Sequence, residues 1–214
     1  MSIIQTAERS SGKDASENVI FQRHLIAYKK AAELVKKNIL EIGCGEGYGI
    51  KELLPKVKKY ICIDKYESNI NFKSEKLTFI KSEVPPLDKI KSDSLDFAVT
   101  FQVIEHIEDD KFFVEEIFRV LKSGGVAILQ VPINFKRNET YEDQSIISKK
   151  DREKYFGQYD HVREYGLDFK ERVEKAGFEI EMVYYTENFS EEMKSKYGLQ
   201  KNDVIPIARK SFSN

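Results

Sequence analysis

Apolar residues recur at near-helical spacing through Ile20, Leu25, Tyr28, Ala31, Ala32 and Val35, predicting a helix that Ser16 caps and that begins at Glu17. The polar stretch before it, residues 1–16, reads as a lid-like lead. Beyond it the period changes. Asn38-Ile39-Leu40-Glu41-Ile42 predicts a short strand that runs into Gly43-Cys44-Gly45-Glu46-Gly47. A helix carrying Ile50, Leu53 and Leu54 follows, and Pro55 stops it. Residues 60–63, 77–80 and 95–101 predict a second, third and fourth strand. Asp109 opens a helix with Phe112, Phe113, Ile117 and Leu121 on one face, closed by Ser123-Gly124-Gly125. Residues 126–131 predict a fifth strand.

Apolar strands without inside-outside alternation, separated by helices, imply a parallel sheet covered on both faces. The fold class expected is α/β: a doubly wound, mostly parallel, seven-stranded sheet with helices on both faces. The tail supplies a helix at residues 167–176, a strand at 178–185 and a last strand at 204–208, the final one antiparallel. The polar, charged stretch after the fifth strand interrupts the rhythm. One domain is expected over residues 1–214, with 1–37 an N-terminal helical lid and 133–165 an inserted segment that covers substrate.

Composition narrows the partners. Thirty-five Lys and Arg against thirty-six Asp and Glu leave a net charge of -1, which speaks against a nucleic-acid surface. Two cysteines make neither a disulfide framework nor a four-cysteine zinc site. No apolar run reaches a membrane span and no secretory core is evident at the start, so a cytoplasmic protein, monomer or homodimer, is expected.

The glycine loop carries the chemistry. Ligands of open α/β sheets bind at the carboxyl ends of strands, where strand order reverses. A dinucleotide enzyme wants Gly-x-Gly-x-x-Gly there, so that a helix N-terminus meets pyrophosphate. Gly43 and Gly45 fit, but Tyr48 fills the third slot and Glu41 sets negative charge close by. Both features suit a phosphate-free ligand with a positive head.

Asn38 to Gly49, NILEIGCGEGYG, resembles the first motif of the class I (Rossmann-like) S-adenosylmethionine-dependent methyltransferases. The resemblance implies S-adenosylmethionine as cofactor and Glu41, Gly43, Cys44, Gly45 and Gly47 as part of its cradle. It implies that Asp64, with Lys65 beside it, holds the ribose hydroxyls, and that Ser82, Glu83 and Val84 contact adenine. Residues 94–99, followed by Gln102-Val103-Ile104-Glu105-His106-Ile107, resemble the fourth-strand motif, placing Gln102 at the cofactor. Leu121-Lys122-Ser123-Gly124-Gly125 is similar to the loop before the fifth strand. Cys44 reads as a small buried residue rather than a nucleophile, because nothing adjacent activates it.

Methyl transfer to a hydroxyl needs a group to take the proton, and the chain has three histidines. His106, just after the fourth strand, and His161 are the candidate catalytic residues. The block Tyr155-Phe156-Gly157-Gln158-Tyr159-Asp160-His161-Val162-Arg163-Glu164-Tyr165-Gly166 resembles a Phe-Gly-Gln-x-Asp-His-x-Arg-x-Tyr-Gly segment of some bacterial small-molecule methyltransferases. As a lid it brings Arg163 and Tyr165 to the acceptor; as a plain loop, Asp160 and Arg163 pair with each other. Tyr28 from the first helix reads either as a substrate-side contact at the methionine end or as a core residue, and Arg23 and His24 on that helix as contacts or as a solvated face. Some relatives in the family this chain resembles bind a divalent ion through a Glu-x-x-Glu-His turn and a distant histidine. Here Gln102 replaces the first carboxylate, and Gln is a poor hard-metal ligand, so a site at Glu105, His106 and His161 is conceivable but no metal is expected. The expected activity is methylation of a small polar acceptor, O-methylation of a sugar or secondary metabolite. Binding without catalysis and a nicotinamide-dependent oxidoreductase are the alternatives.

Overall fold

The computed structural model describes residues 19–35, 37–45, 47–65, 74–82, 87–200 and 202–212. The lid-like lead, its Ser16 cap and the side chain of Arg23 lie outside the described residues. The chain runs α1 (Val19–Leu34), β1 (Asn38–Ile42), α2 (Tyr48–Leu53), β2 (Lys59–Asp64), β3 (Leu77–Lys81) and β4 (Leu95–Phe101). A 3-10 turn at Ile104–His106 leads to α3 (Asp110–Val120) and β5 (Leu121–Gln130). Then come β6 (Tyr141–Glu142), α4 (Lys149–Phe156), β7 (Arg163–Glu164), α5 (Phe169–Glu174), β8 (Glu179–Val183), α6 (Glu191–Tyr197) and β9 (Ile205–Arg209).

Seven strands form one sheet in the order β3-β2-β1-β4-β5-β9-β8, and β6 pairs with β7 in a small ribbon. The first five of these neighbours run parallel, and β9 lies antiparallel between β5 and β8. From β1 the chain builds outward to β3, then returns to lay β4 on the opposite side of β1. Strand order therefore reverses between β1 and β4, the place where ligands of open α/β sheets bind.

Alternation along each strand feeds two cores. Leu40, Ile42, Ile61, Ile63, Ala98 and Leu129 face α3 and α5, meeting Phe113, Ile117, Phe169 and Val173. Ile39, Tyr60, Phe97, Val99 and Ile128 face the other way, against Ala27, Tyr28 and Ala31 of α1 and Ile50 and Leu53 of α2. Each such side chain, fully withdrawn from water, contributes about 1.5–3 kcal/mol. The near-continuous apolar strands are thus the signature of a sheet covered twice.

Two expectations change. Ser123-Gly124-Gly125 does not close α3, because the helix ends at Val120 and β5 begins at once. Gly124 N–H donates to Lys210 O and Lys210 N–H donates to Gly125 O, so these glycines belong to the sheet's seam with the chain end. They form an irregularity in the β4–β5 register, which jumps between Leu95 and Phe97. The buried face of α3 is Phe113, Val114, Ile117 and Val120, while Phe112 is exposed. Asp109 does cap that helix, its side chain accepting from Phe112 N–H. Helices α4 and α6 appear where apolar periodicity is lacking.

Candidate active site

The exit of β1 shows why glycine is needed at two points. Gly43 has φ +76° and donates its N–H to Ile63 O at 2.8 Å. A Cβ there would overlap the Val103 side chain from the loop after β4, so the two diverging strands can close together only over glycine. Gly45, φ +50°, differs: a Cβ would meet no protein atom within 4 Å, so this side of the loop is open backbone. Its N–H donates to Asp64 Oδ2 at 2.9 Å, tying the loop to the end of β2. Gly47, φ +75°, donates to Cys44 O at 2.8 Å and leads into α2.

The remaining cofactor candidates line the same edge. Asp64 ends β2, with Lys65 exposed beside it, and Ser82 N–H donates to Asp64 O at 3.0 Å. Gln102 leaves β4 with φ +55°, a left-handed backbone rare for a side chain larger than glycine, and its N–H donates to Gln130 O. Glu83, Val84 and the side chain of Tyr48 lie outside the described residues.

Glu41 and Tyr28 sit beneath this edge rather than on it. Glu41 is fully buried and accepts from the Tyr28 hydroxyl and, at 2.6 Å, from the Tyr60 hydroxyl. Burial pushes its carboxyl above the ordinary value, against the two hydroxyls, which pull it down. The Tyr28 ring packs edge-on to Phe101 at 4.6 Å and occupies the space a Cβ on Gly49 would take. Of the two readings of Tyr28, contact at the methionine end or core, the structure favours the second: its ring is core and its hydroxyl donates to Glu41. Cys44 and Cys62 are free, buried thiols, and their mutual hydrogen bond, then burial, then Glu41 push the Cys62 thiol up. Neither is poised as a nucleophile.

A second cluster assembles where the inserted segment meets the turn after β4. Val162 N–H donates to Glu105 O at 3.0 Å. Arg163, only 3% exposed, donates to the carbonyls of Ile104, Ile107 and Glu108 and pairs with Glu142 at 3.1 Å and Asp110 at 3.7 Å. Tyr165 hydroxyl donates to Asp110 Oδ2 at 2.8 Å, and Arg172 takes the same carboxylate from α5. Arg163 and Tyr165, expected to touch an acceptor, are instead the clasp that locks the insertion to the turn. Arg163 does not pair with Asp160 either, which accepts from Gln158 Nε2. The partners of the clasp, Asp110, Glu142 and Arg172, went unread in the sequence.

That clasp lays His161 against His106. Their rings meet edge to face with centroids 4.9 Å apart. His106 Nδ1 lies 3.1 Å from Asp160 O, and His161 Nδ1 lies 3.1 Å from Phe156 O. Carbonyl oxygens only accept, so in each contact the histidine Nδ1–H donates. The two residues expected to act on the acceptor are thus brought together, although they arise from distant parts of the chain.

Residues 40–129 match a family model described as a methyltransferase domain. A probable S-adenosylmethionine-dependent methyltransferase of Mycolicibacterium smegmatis is 31% identical over 187 residues, 82% of this chain and 65% of that protein. The ubiquinone biosynthesis O-methyltransferase of Rickettsia conorii is 29% identical over 127 residues, 55% of this chain and 43% of that one. This chain therefore spans less than two thirds of either relative. Among solved structures, a Burkholderia thailandensis 1,6-didemethyltoxoflavin-N1-methyltransferase, with 1,6-didemethyltoxoflavin and S-adenosylhomocysteine bound, superposes with TM-score 0.62. At 16% identity, covering 94% of this chain and 81% of that one, it shares the fold.

Proposed function

Since this chain belongs to the class I S-adenosylmethionine-dependent methyltransferases, we propose that it methylates a small polar acceptor, at an oxygen of a sugar or secondary metabolite. The observation that carries the reading is the loop at the switch point, open over Gly45 and braced by Asp64. Open backbone with a carboxylate at the neighbouring strand end fits a nucleoside without phosphate. Gly43, Cys44, Gly45 and Gly47 would hold it through main chain, and Asp64, Lys65, Ser82 and Gln102 through the rim, with Glu83 and Val84 at the adenine. Glu41 acts from below, fixing Tyr28 and Tyr60 under the loop.

When bound, the cofactor supplies an electrophilic methyl on a sulfonium. Displacement in line gains most from alignment, which the rigid strand ends provide. As an acceptor oxygen attacks, its proton must leave. His106 and His161 are the groups this chain offers for that at the exit of β4. Residues 133–165 cover the acceptor. The O-methyltransferase name of one relative supports oxygen as the acceptor atom. Among the described residues no helix is long and apolar enough to cross a membrane, and two free buried thiols suit the reducing cytoplasm.

Calorimetry tests the reading directly. S-adenosylhomocysteine should bind one to one, and a nicotinamide dinucleotide should not. Asp64→Ala should weaken binding by about tenfold to a hundredfold, the value of one or two charge-assisted hydrogen bonds. His161→Ala should cut methyl transfer to an acceptor panel while leaving S-adenosylhomocysteine affinity intact. Absence of S-adenosylhomocysteine binding would sink the proposal, and binding without turnover of any acceptor would favour a non-catalytic role.

A further inference from the structure

Tyr28, Arg163 and Tyr165 are withdrawn into internal contacts, so other side chains must recognise the acceptor. A cavity of about 880 Å³ lies within the segment that joins β8 to β9. Its size falls within the range of about 300–1,000 Å³ that small-molecule sites occupy. Two observations place it at the working edge of the sheet. β9 is antiparallel to both β5 and β8, so β8 ends on the same edge as β5. Tyr184, the first residue after β8 and part of the cavity wall, has its ring centroid 6.4 Å from that of Phe135 in the loop after β5.

From this we propose that the cavity after β8 is a subsite for a neutral, sugar-like ring of the methyl acceptor, an assignment that rests on the methyltransferase reading above. Its lining has the two kinds of surface such a ring needs. Tyr184, 40% exposed, and Leu199 offer apolar area to the C–H face of a ring. Glu187 and Asn202, both exposed, join Glu191 and Lys194 in supplying acceptors and donors for hydroxyls. A few convergent polar groups beside an apolar face fix the orientation of a small ligand. Lys194 Nζ lies 2.7 Å from Glu191 Oε1, so the charges of that pair largely cancel. Glu187 leaves the wall net negative, which works against a sugar phosphate or a nucleotide and favours an uncharged polyol.

The wall is built on the core. Leu199, 8% exposed, packs in the same core as Tyr28, whose ring lies against Gly49 in α2. α6 packs on α1, and past its end Gly198, at φ +60°, turns the chain so that Leu199 N–H donates to Lys194 O at 2.9 Å. The floor of the cavity and the cofactor loop therefore share one support, which keeps an acceptor held here in fixed relation to the exit of β1. Residues 133–165 bound the acceptor from the side of β5, and residues 184–202 bound it from the side of β8.

Saturation-transfer NMR on the full chain, with S-adenosylhomocysteine present, measures sugar binding without turnover. The probes are glucose, galactose, mannose and rhamnose, with glucose 6-phosphate as the anionic control. At least one neutral sugar should bind saturably, and the phosphate should bind about tenfold more weakly or worse. Tyr184→Ala and Glu187→Ala should each weaken the bound sugar by about tenfold. Tyr184→Phe should keep it, because the ring face makes the contact. Both side chains are exposed, so S-adenosylhomocysteine affinity and melting temperature should hold in all three variants. Failure of every neutral sugar, binding indifferent to both alanine substitutions, or preference for the phosphate would each overturn the subsite. Sugar binding in a chain that takes up no S-adenosylhomocysteine would instead count against the methyltransferase reading alone.

Discussion

Gly43 and Gly45 share a left-handed backbone two residues apart, yet substitution should have different costs at each. Alanine at either adopts that backbone at a cost of about 1–2 kcal/mol. At Gly43 the new methyl also strikes Val103, so Gly43→Ala should lower the melting temperature more than Gly45→Ala. At Gly45 the methyl enters open space, so Gly45→Ala should lose more S-adenosylhomocysteine affinity relative to its loss of stability. Thermal melts and calorimetry on the pair check this, and equal profiles would argue that the open side is not the cradle. Glu41 offers a pH test. Its folded carboxyl titrates above the ordinary 4.5 because burial outweighs the two tyrosine hydroxyls. The folded state therefore holds a proton that the unfolded chain releases, and the stabilisation, full below pH 4.5, is lost as pH rises through the raised value. Urea unfolding at stepped pH should show this decline in the natural chain and not in Glu41→Gln. The turn at these glycines was legible from sequence alone. The seat of Glu41 was not, because its hydroxyl partners come from α1 and β2.

At the scale of elements, what separates the helices read from the helices missed is burial. α3 shows an apolar stripe, and so does α1, so both stood out in the sequence. α4 and α6 bury little, Phe156 on the first and nothing on the second, and are bounded instead by caps. Ser148 accepts from Asp151 N–H with Gly157 closing at φ +86°, and Ser190 accepts from Met193 N–H with Gly198 closing at φ +60°. A reading based on periodicity passes over helices of this kind. The aromatic block around His161 was legible as special, but the work of Arg163 was not, since its carbonyl and carboxylate partners lie far away in the chain. Burial disfavours the Arg163 charge, yet Tyr165, Asp110 and Glu142 raise its pKa overall. Glu142, lifted by burial, is brought below its ordinary value by Arg163 and Arg172. Arg163→Ala should therefore cost about 3–5 kcal/mol, the penalty for breaking a buried pair from one side. Hydrogen exchange should quicken across residues 156–165, and turnover should fall with S-adenosylhomocysteine affinity kept. Arg163→Lys should rescue little, because one ammonium cannot reach several acceptors in a fork. Unchanged exchange would show that the clasp is held by other contacts.

For the molecule as a whole, β9 is the keystone of the sheet's far side. It threads antiparallel between β5 and β8, and Ile205, Ile207 and Ala208 are almost completely buried. A chain ending at Asp203 should leave β8 without a partner and β5 with a bare apolar edge, which invites intermolecular pairing. Its unfolding should lose cooperativity and its solubility should drop; a sharp transition near that of the full chain would refute the assignment. What the sequence determined by itself was local or periodic. Apolar runs without alternation demanded a sheet covered on both faces, glycines at fixed spacing demanded a turn with positive φ, and Asp109 demanded a helix start. Each is written in neighbouring residues because backbone sterics and side-chain alternation act over a few positions. The tertiary structure alone decided what depends on distant partners: that Tyr28 and Glu41 support the loop from within, that Arg163 and Tyr165 fasten rather than touch an acceptor, and that His161 comes to rest beside Glu105 and His106. Those outcomes depend on which segments share a buried space, and chain order carries no direct record of that.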